Sequence, residues 1–257
     1  MSEVEHLFIS DVHLGAFSEK KEAEVENRLI ALIDYSIEKK AHLYILGDLF
    51  DYWMEYPDSG FVPDLGKRVL DKFETYNRAV RPAIYVTGNH DNWTFGHFKD
   101  REFDVEPKFR IIKIGGSNVL IMHGDGLVGE RNDILRPAFH KLLRNPSFTK
   151  YYQKVLPAKA GLGLMKAFSN TTRKRNHRNP VPLNKNAESI LKAEEVDVVL
   201  CGHDHLPRVE TFSGGKYINL GTFFKHNTLV RYTEDKFQLV SWYEDSKEFV
   251  PYRSNIS

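Results

Sequence analysis

Five times along this chain an apolar run with strand character ends in aspartate, asparagine or histidine. The runs "HLFIS" (His6–Ser10), "HLYILGD", "AIYVTGNHD", "NVLIMHGD" and "VDVVLCGHDH" carry the β-branched and aromatic residues that strands prefer. The first leads into Asp11 and His13, and the second ends at Asp48. The third ends at Asn89 and His90, the fourth at His123, and the fifth at His203 and His205. Any one of these stretches, such as Gly88-Asn89-His90-Asp91, reads alone as a turn, because Gly, Asn and Asp tolerate left-handed backbone. Five in succession call for a common cause.

Helical periodicity fills the spaces between the strands. Val25, Leu29, Leu32, Ile33 and Ile37 form one stripe over Glu19–Lys39, and Val69, Phe73, Tyr76 and Val80 another over Asp64–Val80. "KYINLGTF" adds a strand, and "TLVRYTEDKFQLVSWY" predicts a hairpin turning at Glu234–Asp235. Alternating strands and helices with a β-rich end indicate a layered α/β domain. Ligands of open α/β sheets bind beyond the carboxyl ends of the strands, so the polar groups are expected to converge on one edge.

Two carboxylates (Asp11, Asp48), one amide oxygen (Asn89) and four imidazoles (His13, His123, His203, His205) make a mixed N/O donor set. It suits Mn, Fe, Zn or Co better than calcium. Seven donors exceed what one catalytic ion with open positions needs and match two. Burying so many polar groups with nothing to bind would be costly.

The composition, 41% apolar and 28% charged, is that of a globular protein without disorder. The start, "MSEVEHLFIS", has acids where a signal peptide has lysines, and no uncharged run approaches the roughly 20 residues of a bilayer span. Cys201 is the only cysteine, so no intramolecular disulfide forms, and a cytoplasmic address is expected. The net charge of +1 hides a split. Residues 131–187 hold thirteen Lys or Arg against one acid, Asp133, for a charge of +12, which leaves −11 on the remainder. Such asymmetry points to an anionic partner.

The ordered blocks "DVH" (Asp11–His13), "GD" (Gly47–Asp48), "GNHD" (Gly88–Asp91), "HGD" (His123–Asp125) and "GHDH" (Gly202–His205) resemble those of the calcineurin-like metallophosphoesterases. The resemblance covers nearly the whole chain and implies a four-layered α-β-β-α metallophosphoesterase sandwich. It implies that residues 1–129 and 188–257 form the catalytic core and that 130–187 form an inserted helical cap. Carried over position by position, Asp11, His13 and His205 hold one divalent ion, Asn89, His123 and His203 hold a second, and Asp48 bridges them. Manganese is the expected metal, with iron or zinc as alternatives. His90 then faces the leaving group as a catalytic residue, and Asp51 supplies the carboxylate that orients it. Asp91 braces the turn.

The insertion mixes cations with apolar residues, and candidate helical pieces at Arg136–Leu143 and Leu162–Ser169 are separated by Pro146, Pro157 and Pro180. Two partners fit. Nucleic acid would meet the cations with its phosphates and stack bases on Tyr151 and Tyr152. A membrane or acylated substrate would place headgroups on the cations and chains on Leu162, Leu164, Met165 and Phe168. Within the family, the layout looks most like the subgroup that hydrolyses UDP-2,3-diacylglucosamine in lipid A synthesis. That subgroup acts while peripherally attached to the inner membrane. Arg173, Lys174, Arg175 and Arg178 are then candidate substrate contacts, and Trp53, Met54 and Tyr56 candidate walls of an acyl pocket. The chain departs from that subgroup in having His90 where it has arginine and Asp204 where its last block usually has threonine. A broader phosphodiesterase, a nuclease, and a binding protein with a purely structural metal site are the alternatives.

Overall fold

The computed structural model describes residues 4–125, 142–175, 180–193 and 195–253. In chain order the first half contains β1 (His6–Ile9), α1 (Glu19–Lys39), β2 (His42–Leu46), α2 (Lys67–Ala79) and β3 (Ile84–Val86). Then come α3 (His97–Asp100), β4 (Asp104–Glu106), β5 (Phe109–Ile114) and β6 (Ser117–Met122). The second half contains α4 (Pro146–Val155), α5 (Ala158–Arg175), α6 (Val181–Ala193) and β7 (Val198–Cys201). It closes with β8 (Arg208–Phe212), β9 (Gly215–Asn219), α7 (Phe223–His226), β10 (Thr228–Thr233), β11 (Lys236–Tyr243) and β12 (Glu248–Pro251).

The strands make two sheets, ordered β12-β11-β10-β1-β2-β3-β4 and β5-β6-β7-β9-β8. β1, β2, β3 and β4 are parallel, and so are β6, β7 and β9. Period-two alternation sorts each strand between two cores. In the first sheet Leu7, Ile9, Leu43, Ile45 and Tyr85 pack with Val25, Leu29, Leu32, Phe73 and Tyr76 of α1 and α2. Their neighbours Phe8, Tyr44, Leu46, Ile84 and Val86 meet Val119, Ile121, Val198, Leu200 and Ile218 of the second sheet. On its far face Leu120, Val199, Cys201 and Tyr217 pack beneath Leu183, Ala187 and Leu191 of α6. The result is the expected α-β-β-α sandwich.

Several local expectations are refined. The hairpin between β10 and β11 turns at Glu234 and Asp235, both with positive φ (51° and 58°), as a two-residue hairpin loop requires. Pro146 starts a helix rather than breaking one, because Asn145 Oδ1 caps it by accepting from the Ser147 and Phe148 amides (2.9 and 3.3 Å). Most of the expected piece Arg136–Leu143 lies outside the described residues. The expected end of the insertion at 187 falls inside α6, whose apolar stripe packs on the second sheet. Strand β5 escapes sequence reading because it is an edge strand whose Phe109 and Ile111 face outward, half exposed.

At the amino ends of β1 and β2, far along the strands from the polar clusters, His6 and His42 pack edge to face at 4.9 Å. His6 Nδ1 meets the Tyr44 hydroxyl at 2.9 Å, and Arg81 Nη1 lies 3.1 Å from His42 Nδ1. Burial first, and then neighbouring positive charge, lower both imidazoles to about 4. The folded state therefore keeps them neutral at pH values where the unfolded chain, near 6.5, takes up protons. Their contribution to stability is complete above about pH 6.5, falls as the pH drops toward about 4, and changes no further below that. His42→Gln is expected to flatten this decline. Urea midpoints of the variant and the parent, compared at about pH 7 and about pH 5, should converge on acidification, and parallel declines would contradict the assignment.

Candidate metal centre

The loops that follow the parallel strands keep hydrogen-bonding to one another past the strand ends. Asp11 N donates to Gly47 O (3.1 Å), His13 N to Asp48 O (3.0 Å) and Gly202 N to His123 O (3.0 Å). Side chains here are therefore presented from held backbone. The holding is strained. Asp11, His13, Asp48, His203 and His205 all have left-handed backbone, with φ between 52° and 72°. Each such residue costs roughly 1–2 kcal/mol, a cost usually retained where function demands it.

Two glycines make room for the carboxylates. A Cβ at Gly88 would stand 2.1 Å from Asp48 Oδ1, and one at Gly202 would stand 2.1 Å from Asp11 Oδ2. The glycine of "GNHD" is thus a packing requirement of the residue it faces across the site.

Two groups of donor atoms result. In the first, His205 Nε2 lies 3.0 Å from Asp11 Oδ1 and 3.2 Å from His13 Nε2, and Asp11 Oδ1 lies 3.6 Å from His13 Nε2. In the second, His123 Nε2 lies 3.2 Å from both Asn89 Oδ1 and His203 Nδ1. Asp48 Oδ2 stands between them, 3.3 Å from His123 Nε2 and 3.8 Å from His13 Nε2. All seven residues singled out in the sequence as ligands are brought together, from both sheets.

The donor set fits divalent metal. Asp11 Oδ1 is buried and accepts no well-formed hydrogen bond. His123 Nδ1 is 2.9 Å from the Leu46 carbonyl, which can only accept, so Nδ1 carries a proton and Nε2 is the ring nitrogen that faces the cluster, where a metal would take the place of its proton. Electrostatics point the same way. Burial alone would raise Asp11 and Asp48, yet His205 and His13 hold Asp11 low, and His123 and His90 hold Asp48 well below the usual range. Burial would lower His123, but the Asp48 and Asp11 carboxylates push it up to about 10. The pocket demands positive charge, which a pair of divalent ions meets without the imidazolium protons.

His90 stands beside His13 and Asp48. Its main-chain amide donates to Asp48 Oδ1 (3.0 Å), its ring lies edge-on to His13 and Tyr52, and its Nε2 is 3.9 Å from Asp48 Oδ2. Burial lowers its pKa, with Asp48 opposing. The expected orienting role of the Asp51 carboxylate falls instead to the Asp51 main-chain oxygen, which accepts from His90 Nδ1 at 2.5 Å. Asp51 Oδ1 is 3.7 Å from Nδ1 of both His90 and His13. Asp91 is fully buried and accepts from the amides of Leu49 and Gly88 (2.7 Å each) and from the Tyr85 hydroxyl, so it ties two ligand-bearing loops together.

Trp53 is not a pocket wall. It is 1% exposed, packed between Phe50 and Phe98, with its Nε1 donating to Glu55 Oε1 (2.8 Å). Met54 and Tyr56 are likewise buried, where they and Trp93 meet Leu143 and Met165 and seat α4 and α5. Glu55 went unnoticed in the sequence. It accepts from Trp53, Thr94 and Phe95, and its one signal is an acid inside the apolar run "YWMEY". Asp204, the unusual residue of the last block, pairs with Arg208 four residues on (2.7 Å), a spacing visible in the sequence. Arg173, Lys174 and Arg175 fall at the end of α5, and their side chains, like Arg178 and Phe168, lie outside the described part.

A family model described as calcineurin-like phosphoesterase matches residues 6–207. The chain is 30% identical over 260 residues to UDP-2,3-diacylglucosamine hydrolase of Wigglesworthia glossinidia brevipalpis, covering 96% of this chain and 97% of that one. It is 26% identical to the enzyme of that name from Proteus mirabilis (strain HI4320), over 92% of this chain and 98% of the other. Against that of Coxiella burnetii (strain RSA 331 / Henzerling II) it is 25% identical, over 89% and 93%.

Gly88→Ala tests the packing of the centre without touching a donor atom. Its methyl must displace Asp48, so bound divalent metal, read by elemental analysis after desalting, should fall well below that of the parent while far-UV circular dichroism is retained. Unchanged metal content in a folded variant would refute the claimed contact.

Proposed function

Because the chain belongs to the calcineurin-like phosphoesterase family and is a hydrolase, we propose that it cleaves the pyrophosphate of UDP-2,3-diacylglucosamine, releasing UMP and 2,3-diacylglucosamine 1-phosphate. The observation that carries this reading is the end-to-end match to hydrolases of that name, insertion included. In this reading Asp11, His13 and His205 hold one divalent ion, Asn89, His123 and His203 hold the other, and Asp48 touches both. Manganese is the proposed metal. Two such ions, when bound, supply Lewis acidity toward the phosphoryl oxygens and activation of the attacking water.

The chain's own residues contribute orientation and a hydrogen bond. Asp48 fixes the spacing of the two donor groups and also accepts from the His90 amide. His90, anchored through Nδ1 on the Asp51 carbonyl, keeps Nε2 for the leaving oxygen of the substrate. Such a group contributes about 10²- to 10⁴-fold to rate.

The insertion supports an acylated substrate and a peripheral place on the inner membrane. α4 turns Thr149 inward and leaves Tyr151 and Val155 exposed beside Lys150 and Lys154, and α5 adds exposed Leu164 and Lys159. Each buried methylene of an acyl chain contributes about 0.8 kcal/mol. Among the described residues no helix is long and apolar enough to cross a membrane. The nuclease alternative loses one of its two stacking residues, since Tyr152 packs against Trp93 and donates to Gly161 O (2.8 Å).

His90→Ala is expected to lower kcat by about 10²- to 10⁴-fold with manganese content intact. Joint loss of metal and activity would make His90 a ligand and overturn its role. Substrate choice has its own test. Rates on UDP-2,3-diacylglucosamine, UDP-N-acetylglucosamine and bis-p-nitrophenyl phosphate should favour the diacylated compound strongly. Equal rates would leave a general phosphodiesterase as the better description, and no nitrophenol or UMP with manganese present would favour a purely structural site.

A further inference from the structure

Strand β6 ends at Met122, and Asp125, two residues after His123, meets Arg144, nineteen residues further along the chain. The return is closely fitted. Arg144 Nε donates to Asp125 Oδ2 (3.0 Å), and Nη2 donates to both Asp125 oxygens (2.9 and 3.1 Å). Nη2 also reaches the Thr87 carbonyl (3.2 Å), and Nη1 donates to the Pro107 carbonyl (2.6 Å). Asp125 is 8% exposed. A planar fork that meets one carboxylate along its Nε–Nη2 edge and two carbonyls through Nη1 and Nη2 is geometry that a lysine ammonium does not reproduce.

The acceptors are what give this clasp meaning. Asp125 sits on the loop that carries His123, and Thr87 immediately precedes Gly88 and Asn89 on the loop from the other sheet. One guanidinium thus bridges the two loops whose side chains, His123 Nε2 and Asn89 Oδ1, lie 3.2 Å apart in the second donor group. Its neighbour Leu143 is fixed as well, accepting from Trp93 Nε1 at 2.7 Å within the cluster that seats α4 and α5. The first donor group, Asp11, His13 and His205, is held by close contacts of its own.

We propose that Arg144 is a positioning residue that locks the insertion to the Asn89 and His123 loops, so that seating of the insertion and affinity for the second divalent ion are coupled. The proposal rests on the two-ion reading of the centre. It goes beyond that reading in assigning to a residue outside the metal-binding blocks control over one ion and not the other. The mechanism is geometric, since Gly88 already packs against Asp48 with no space to spare and a shift of Thr87 is carried into Asn89.

The test is manganese binding to the full metal-free chain, without substrate, by calorimetric titration and by the electron paramagnetic resonance of coupled manganese pairs. The parent titration, which must show two binding steps, examines the two-ion reading separately from the variants. In Arg144→Ala one step should weaken by about 10- to 100-fold while the other stays in place, and the coupled-pair signal should disappear at stoichiometric metal. Arg144→Lys, which keeps the charge, should restore little of it. Asp125→Asn, nearly isosteric, should give the same one-step defect and serves if Arg144→Ala does not fold. Amide exchange supplies the readout for coupling. Manganese should protect residues 146–155 in the parent and fail to do so in Arg144→Ala. Two steps that weaken equally, two that are unchanged, or full rescue by lysine would each overturn the proposal.

Discussion

Two carboxylates, Asp11 and Asp48, are buried where the two sheets meet, and the rest of the structure is organised by the need to neutralise them. Their ion-pairing partners are histidines: His13 and His205 for Asp11, and His13, His90 and His123 for Asp48. A buried carboxylate without a compensating charge costs several kcal/mol. Imidazoles compensate weakly and variably near neutral pH, whereas divalent ions do so strongly and impose geometry. The left-handed backbone of five of the ligand residues is tolerable for the same reason, because the main-chain ladder between loops over-determines where each side chain must point.

No single sheet builds this centre. Asp11, His13, Asp48 and Asn89 follow strands of one sheet, and His123, His203 and His205 follow strands of the other. The approach of the two sheets' residues within each donor group is therefore set by the apolar layer of Phe8, Tyr44, Leu46, Val119, Ile121 and Leu200 that spaces the sheets. Close packing makes that spacing resistant to small displacements. Chemistry at the rim thus inherits its precision from residues that carry none.

Helices α4 and α5 are joined to this frame by side chains of opposite character. Tyr52, Met54, Tyr56 and Trp93 offer an apolar seat to Leu143 and Met165, while Gln153 Nε2 donates to the Glu55 carbonyl at 2.6 Å. Gly161 of α5 lies so near the Tyr56 hydroxyl that a Cβ there would be 2.0 Å away. This close seating explains why the aromatic run after Asp48 is buried rather than open to a ligand. Tyr151, Val155 and Leu164 of these helices are exposed.

The sequence by itself determined the strands with polar endings and the hairpin at Glu234–Asp235, because period-two alternation and turn chemistry are properties of neighbouring residues. It also brought out the polar residues that meet at the centre, since side chains after parallel strands gather at one edge whatever the loops between them do. Other features were decided only by tertiary structure. Trp53 became core because α3 brought Phe98 against it, and the Asp51 main chain took the contact expected of its carboxylate because the loop turns its carbonyl toward His90. α6 joined the core because a stripe of Leu183, Ala187 and Leu191 found the second sheet, and Arg144 acquired acceptors 19, 37 and 57 residues away. Such pairings depend on which surfaces meet once the chain has folded, and local sequence carries no record of that.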